Sequence, residues 1–192
     1  MSPVLVVISG APGAGKSTLA KQLAERLELP LLDRDDIKDT MFDAMGWSDR
    51  EWSQRVGRAS WELLFLFAEK LLSAGESVIV DSNFERGRHP QLSAIAQRIP
   101  YRLVEVHCSA PDTVLARRFR TRWTSGQRHP GHASDWTERE YLDHIADRSF
   151  APLDESDVLI EVDTNDGANV DVGEIAKVIA RVLREDAIRG DA

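Results

Sequence analysis

The stretch "VLVVISGAPGAGKSTLA", Val4 to Ala20, decides how the rest of the chain is read. An apolar run leads into "GAPGAGKS", Gly10 to Ser17, which fits the pattern G-x-x-x-x-G-K-[ST]. Leu19, Leu23 and Leu27 then recur four apart, as a helix over 16–27 requires. The motif therefore stands after a strand and before a helix, where its chemistry works. Its glycines let backbone N–H groups converge on an anion with no side chain in the way. The helix N-terminus adds partial positive charge. Gly10, Ala11, Pro12, Gly13, Ala14, Gly15, Lys16, Ser17 and Thr18 are the expected nucleotide-binding residues. Lys16 is placed to reach the β- and γ-phosphates, the Ser17 hydroxyl to ligate Mg²⁺, and Thr18 to meet the α-phosphate. Nucleoside triphosphate binding follows from this. Its use does not, because such loops serve motors, switches and kinases alike.

Outward from that loop, short apolar runs recur at 30–33, 77–81, 101–108 and 157–163, several of them without alternation. Continuous apolar strands belong to a parallel sheet covered by helices on both faces. Helical patterns fill the gaps at 61–72, 111–122 and 171–189. Strand–helix alternation with right-handed crossovers gives an α/β fold with a five-stranded parallel sheet. The 192 residues suit one domain spanning 1–192.

The formal charge is −8, but residues 133–192 carry 16 acids against 6 Lys and Arg. Between Arg117 and Arg128 there are five arginines and no acid. A protein that tracks a nucleic-acid backbone shows a basic stripe and a high pI, whereas this chain has a pI of about 5.2. Its positive charge reads as aimed at one small anion. No apolar stretch is long enough to span a membrane. The single cysteine, Cys108, excludes an intrachain disulfide and fits a cytoplasmic setting.

Three further stretches carry chemistry. "LLDRDDIKDTMF", 31–42, ends a strand with Asp33, Asp35, Asp36 and Asp39. Parallel strands put their C-terminal ends on the edge that holds the phosphate loop. A carboxylate there can take the proton of an acceptor hydroxyl, although acids also suit any helix N-terminus. "SVIVDSNFERGRHP", 77–90, places Asp81 at another strand end, where it can hold Mg²⁺, orient the acceptor or cap a turn. Arg118 and Arg122 share one helix face, with Arg117, Arg120 and Arg128 around them. Arginines over a transferring phosphoryl group stabilise its charge, and a lid that carries them excludes water. Trp47, Trp52, Trp61, Trp123 and Trp136 flank the acidic stretch and the lid, as core residues or as aromatic walls for an acceptor. His129 and His132, in "RHPGH", read as a turn or as substrate contacts, and no third ligand makes them a metal site.

Taken together, "GAPGAGKST", "DRDDIKDTMF", "VIVDSNFERGRH" and "CSAPDTVLARRFRTR" resemble the successive motifs of P-loop kinases of the polynucleotide 5′-hydroxyl kinase type. Zeta-toxin-like and chloramphenicol-phosphotransferase-like kinases are similar. The resemblance covers residues 4–125. It implies a nucleoside-monophosphate-kinase-like core with strand order 2-3-1-4-5, ATP and Mg²⁺ as the nucleotide and cofactor, and a helical lid over about 117–136. It implies Asp35 as general base and Arg122, with Arg118, as catalytic lid arginines. Lys38 stands where such kinases often carry an acceptor-binding arginine, and Asp33 and Asp81 border the same acceptor side. "VLIEVDTNDGANVDVGEIAKVI" resembles their last strand, base loop and final helix. The expected activity is ATP-dependent phosphoryl transfer to a hydroxyl group of a small-molecule acceptor. A 5′-hydroxyl kinase for RNA or DNA ends and a regulatory ATPase without acceptor are the alternatives.

Overall fold

The computed structural model describes residues 2–126, 128–132 and 137–189. Five parallel strands form one sheet: β1 (Val4–Ser9), β2 (Leu31–Asp33), β3 (Val78–Asp81), β4 (Arg102–Ser109) and β5 (Val158–Asp163). Their order is β2-β3-β1-β4-β5, as the motifs implied. Central β1 is buried along its whole length, because its alternate residues enter two different cores. Val4, Val6 and Ile8 pack with α1 (Lys16–Leu27) and with α7 (Val172–Arg189). Leu5 and Val7 pack with α3 (Arg50–Ser73) and α4 (Pro90–Arg98). A strand clamped this way has no polar face, which is why its sequence shows no alternation.

The helices depart from expectation between β2 and β3. Residues 34–45 form a helix, α2 (Arg34–Met45), and α3 runs from Arg50 rather than from Trp61. Both starts are capped by aspartates. Asp33 accepts a hydrogen bond from the Asp35 amide at 2.8 Å, and Asp49 accepts one from the Trp52 amide at 2.8 Å. Ser53, Gly57 and Ser60 interrupt the apolar period of α3, yet their small size lets α3 lie close to α2. A Cβ on Gly57 would sit 3.5 Å from Lys38 Nζ.

On the other side of the sheet, α5 (Asp112–Thr124) is followed by a short 3₁₀ turn at Pro130–His132 and by α6 (Glu138–Ala146). A reciprocal Thr137–Glu140 capping box starts α6. Tyr141, buried on α6, stacks on Phe119 of α5 and donates its hydroxyl to the Pro12 carbonyl at 2.6 Å. This contact fixes one side of the phosphate loop. Glu105, in the middle of β4, is fully buried. It accepts hydrogen bonds from Ser9 Oγ, the Leu153 amide and Ser156 Oγ, which tie the segment before β5 to the sheet. Among the described residues no helix is long and apolar enough to cross a membrane.

Candidate active site

The phosphate loop leaves β1 at Gly10, whose φ is 125°. A Cβ there would sit 2.1 Å from the Cys108 carbonyl oxygen, so only glycine lets the chain turn this close to β4. Gly15 precedes α1, and no side chain caps that helix. The amides at its start are therefore left for an anion. Lys16 is buried and donates to the Ala11 carbonyl at 2.9 Å and to Asn83 Oδ1 at 2.7 Å. Burial pushes its pKa down, while the carboxylates of Asp81 and Asp35 and the nearby Cys108 oppose that shift.

Asp33 and Asp81 are register partners at the ends of β2 and β3. Burial pushes Asp33 up to about 6, the Asp81 charge adds to the shift, and the Asp35 amide moderates it. Burial also raises Asp81, against the pull of Lys16 and a hydrogen bond with the Ser17 side chain. Asp81 Oδ1 is buried with no hydrogen-bond partner. A buried carboxylate oxygen without a partner, on a carboxylate bonded to the Ser17 side chain, fits a hard divalent cation. Ser17 and Asp81 are thus the residues that would hold Mg²⁺.

Asp35, in the first turn of α2, is ringed by guanidinium groups. Arg122 lies 3.4 Å from its carboxylate, Arg128 3.5 Å and Arg34 3.5 Å. Burial pushes Asp35 upward, but Arg128, Arg34, His132 and Arg122 together hold it well below the usual carboxylate range. The segment 128–132 reaches this place because it docks on α2. His132 Nε2 lies 2.5 Å from Asp39 Oδ1, and His129 Nε2 lies 3.3 Å from Asp43 Oδ1. The His129 ring stacks on Phe42. Asp35, Asp39 and Asp43 recur every four residues, so one face of α2 receives the whole segment.

Pro12 and Gly13 of the phosphate loop, with Asn83 after β3, line a cavity of about 690 Å³. Trp61 forms part of its wall, packed on Phe65, Phe84 and His89, with the Arg34 guanidinium 4.8 Å over its ring. Arg58, Arg88, Arg122 and Arg128 also line it. Burial, with Arg34 and Arg88 nearby, pushes His89 down to about 4.

The structure thus brings Lys16, Ser17, Asp33, Asp35, Asp81 and Arg122 to one sheet edge. Arg118 is placed differently. Its guanidinium donates to the carbonyls of Gly13, Thr164 and Asn165, at 3.3, 2.7 and 3.2 Å. It joins the phosphate loop to the loop after β5. Lys38 is buried, with its ammonium 5.4 Å from the Phe42 ring centroid, and it does not line the cavity. Trp52 donates its indole N–H to the Gly46 carbonyl, and Trp47 is half exposed. Trp136, the Trp123 side chain and part of the expected 117–136 lid lie outside the described residues. Sequence reading did not assign roles to Asn83, Arg34, Arg58, Arg88 or His89. Except for Arg58, which adjoins none of the motifs, their signal was adjacency: Arg34 precedes the candidate base, and Asn83, Arg88 and His89 follow Asp81.

An AAA domain family, AAA_33, matches residues 5–150, and the chain belongs to it. Uncharacterized proteins of Mycobacterium bovis and Mycobacterium tuberculosis are 32% identical over 126 residues, covering 60% of this chain and 25% of theirs. The chain thus spans about a quarter of the length of these curated relatives. A crystal structure from Chloroflexus aurantiacus, provisionally described as a kinase, superposes with a TM-score of 0.86 at 34% identity, over 94% of this chain and 98% of that one. Shikimate kinase from Acinetobacter baumannii, in complex with shikimate, superposes at 0.55 and 18% identity, over 96% and 95%. These likenesses establish the P-loop kinase fold.

Proposed function

We propose that this protein is an ATP-dependent kinase that phosphorylates a hydroxyl group of a small-molecule acceptor. The observation that supports this most is the place of the cavity against the phosphate loop. Pro12 and Gly13 of the phosphate loop line the cavity, as do Asn83, which accepts a hydrogen bond from Lys16, and Arg34, Arg122 and Arg128, the three arginines around Asp35. The kinase description of the Chloroflexus aurantiacus protein agrees with it.

In this reading the loop amides and Lys16 hold the triphosphate. The acceptor oxygen attacks the γ-phosphorus, its new bond forms as the bond to the β–γ bridging oxygen breaks, and ADP leaves. Asp35 takes the acceptor's proton. Clasped by three arginines, Asp35 is a poor base. A bound γ-phosphate competes for the same guanidiniums, which both stabilises the transferring group and returns basicity to Asp35. Mg²⁺, when bound, neutralises β- and γ-phosphate charge. Arg118, fixed to backbone carbonyls beside the base loop, acts by positioning that loop rather than by touching the transferred phosphate.

The motif resemblance also supports a 5′-hydroxyl kinase for nucleic-acid ends, but the net charge of −8 opposes a polymer acceptor. An ATP-consumption screen across oligonucleotides, nucleosides, sugars and hydroxylated antibiotics tests the reading. Acceptor-dependent ADP release supports it. An acceptor-independent ATPase, or absence of nucleotide binding, overturns it. An oligonucleotide that outperforms every small molecule by tenfold or more transfers the assignment to the polynucleotide reading.

A further inference from the structure

The cavity beside the phosphate loop has a charge opposite to that of the protein. The chain carries −8, yet five arginines line the cavity against Glu62 and Glu85. Arg34, Arg122 and Arg128 are engaged by Asp35. Arg58 and Arg88 make no such contact, and they come from other elements.

Arg58, Trp61 and Phe65 lie at i, i+3 and i+7 on α3, so one helix face presents all three to the cavity. Arg55, on the next turn of the same helix, lies outside the cavity and is paired with Glu51 at 2.6 Å. Arg58 has no carboxylate partner among the described residues. Arg88 approaches Glu85 at 3.1 Å, and Glu62 accepts a hydrogen bond from Gln91 at 3.2 Å. Glu85 is therefore paired with Arg88 and Glu62 is held by a neutral amide, so neither acid of the wall gives Arg58 an ion-pair partner. His89, kept uncharged at neutral pH, contributes an aromatic surface rather than a further cation. A guanidinium fork matches a carboxylate or phosphate better than it matches a hydroxyl.

We propose that the acceptor carries a permanent anionic group, a carboxylate or a phosphate monoester, in addition to the hydroxyl that receives the phosphoryl group. Arg58 binds this anion, Arg88 is the second cation of the wall, and Trp61 covers the carbon skeleton. The inference rests on the kinase reading above.

Isothermal titration calorimetry on the full chain, loaded with a non-hydrolysable ATP analogue and Mg²⁺, tests it. Loading occupies the phosphate loop, so an added anion must bind elsewhere. The probes are two matched sets: glucose, gluconate and glucose 6-phosphate; glycerol, glycerate and glycerol 3-phosphate. In at least one set an anionic member is expected to bind tenfold or more tightly than its neutral parent. The preferred anion distinguishes carboxylate from phosphate. Arg58→Gln removes that advantage without changing affinity for the ATP analogue, and Arg55→Gln leaves both unchanged. Neutral parents that bind as well as the anions, no binding by any probe, or an advantage that survives both Arg58→Gln and Arg88→Gln overturns the inference and leaves the kinase reading standing. Failure of the ATP analogue to bind overturns the kinase reading itself.

Discussion

The Arg122 guanidinium lies 3.4 Å from the Asp35 carboxylate, although 87 residues separate them in the chain. The contact joins the end of α5 to the first turn of α2, and with Arg128, Arg34 and His132 it keeps Asp35 strongly acidic. Asp35→Asn keeps the size of the side chain, removes its charge and leaves the Asp33 cap in place. We expect near-normal ATP binding and a kcat lower by about 10²-fold or more, the usual worth of a positioned base. Single-turnover kinetics beside nucleotide titration check this. Retained turnover in Asp35→Asn, with loss in Asp33→Asn or Asp36→Asn, would move the base to another acid of the cluster.

Arg122→Ala separates two roles of that arginine. Its side chain is about half exposed and pairs with Asp35, so the fold should tolerate its loss. If Arg122 moves onto the transferring phosphoryl group, kcat falls more than KM for ATP rises. A rise in KM at unchanged kcat would make it a ground-state ligand only.

The phosphate loop and the five strands were legible because they depend on local pattern, glycines of fixed spacing and short apolar runs, whereas the sheet order was implied by the motif resemblance. The acidic cluster 33–39 was legible by its place after a strand end, and only the motif resemblance singled out Asp35 within it. The cavity was not, because its wall is assembled from α3, the β3–α4 connection and the segment 128–132, which no local period links. The contacts of Arg118 were not legible for a related reason. Helical spacing shows that Arg118 and Arg122 share a face, but four residues of helix rise separate them by about 6 Å. That is enough for one to meet Asp35 while the other meets the Gly13 and Thr164 carbonyls. The helix α2 was hidden because a run of acids reads equally well as a solvated loop and as a capped first turn.

Asp33 gives a pH test of the strand-end carboxylates. Its folded pKa of about 6 exceeds its ordinary value of 3.8, so between about pH 4 and 6 the native state binds more protons than the unfolded state. Stability contributed by this proton is present below that window and lost as pH rises through it, by on the order of 2 kcal/mol. His89 acts in the opposite sense. Its pKa falls to about 4, so its contribution grows as pH rises from about 4 to 6.5. The two partly cancel in the native protein. Asn caps a helix as well as Asp does, so Asp33→Asn should keep α2 and remove only the carboxylate. Urea denaturation of the Mg²⁺-free variant is expected to show stability rising with pH over this range. At pH 7 it should exceed the parent by on the order of 2 kcal/mol. A stability difference that is the same at pH 4.5 and 7.5 would show that Asp33 does not titrate in this window.

Gly131→Ala tests whether the docked arrangement of segment 128–132 is the one in which turnover occurs. A Cβ at this position would sit 2.6 Å from Phe42 Cδ2. Phe42 is 1% exposed, so the ring has little room to retreat, and such overpacking costs about 1–3 kcal/mol. The turn is the softer partner and should lift from α2 instead, loosening the His132–Asp39 and His129–Asp43 contacts and drawing Arg128 away from Asp35. Global stability should then change little, because the sheet and both cores are untouched. Trypsin cleavage after Arg128 should become faster, and kcat should fall as the cavity loses its Arg128, His129 and His132 wall. Unchanged kcat together with faster cleavage would mean that catalysis proceeds with the segment undocked. In that case the arginines that meet the transferred phosphate would reduce to Arg34 and Arg122.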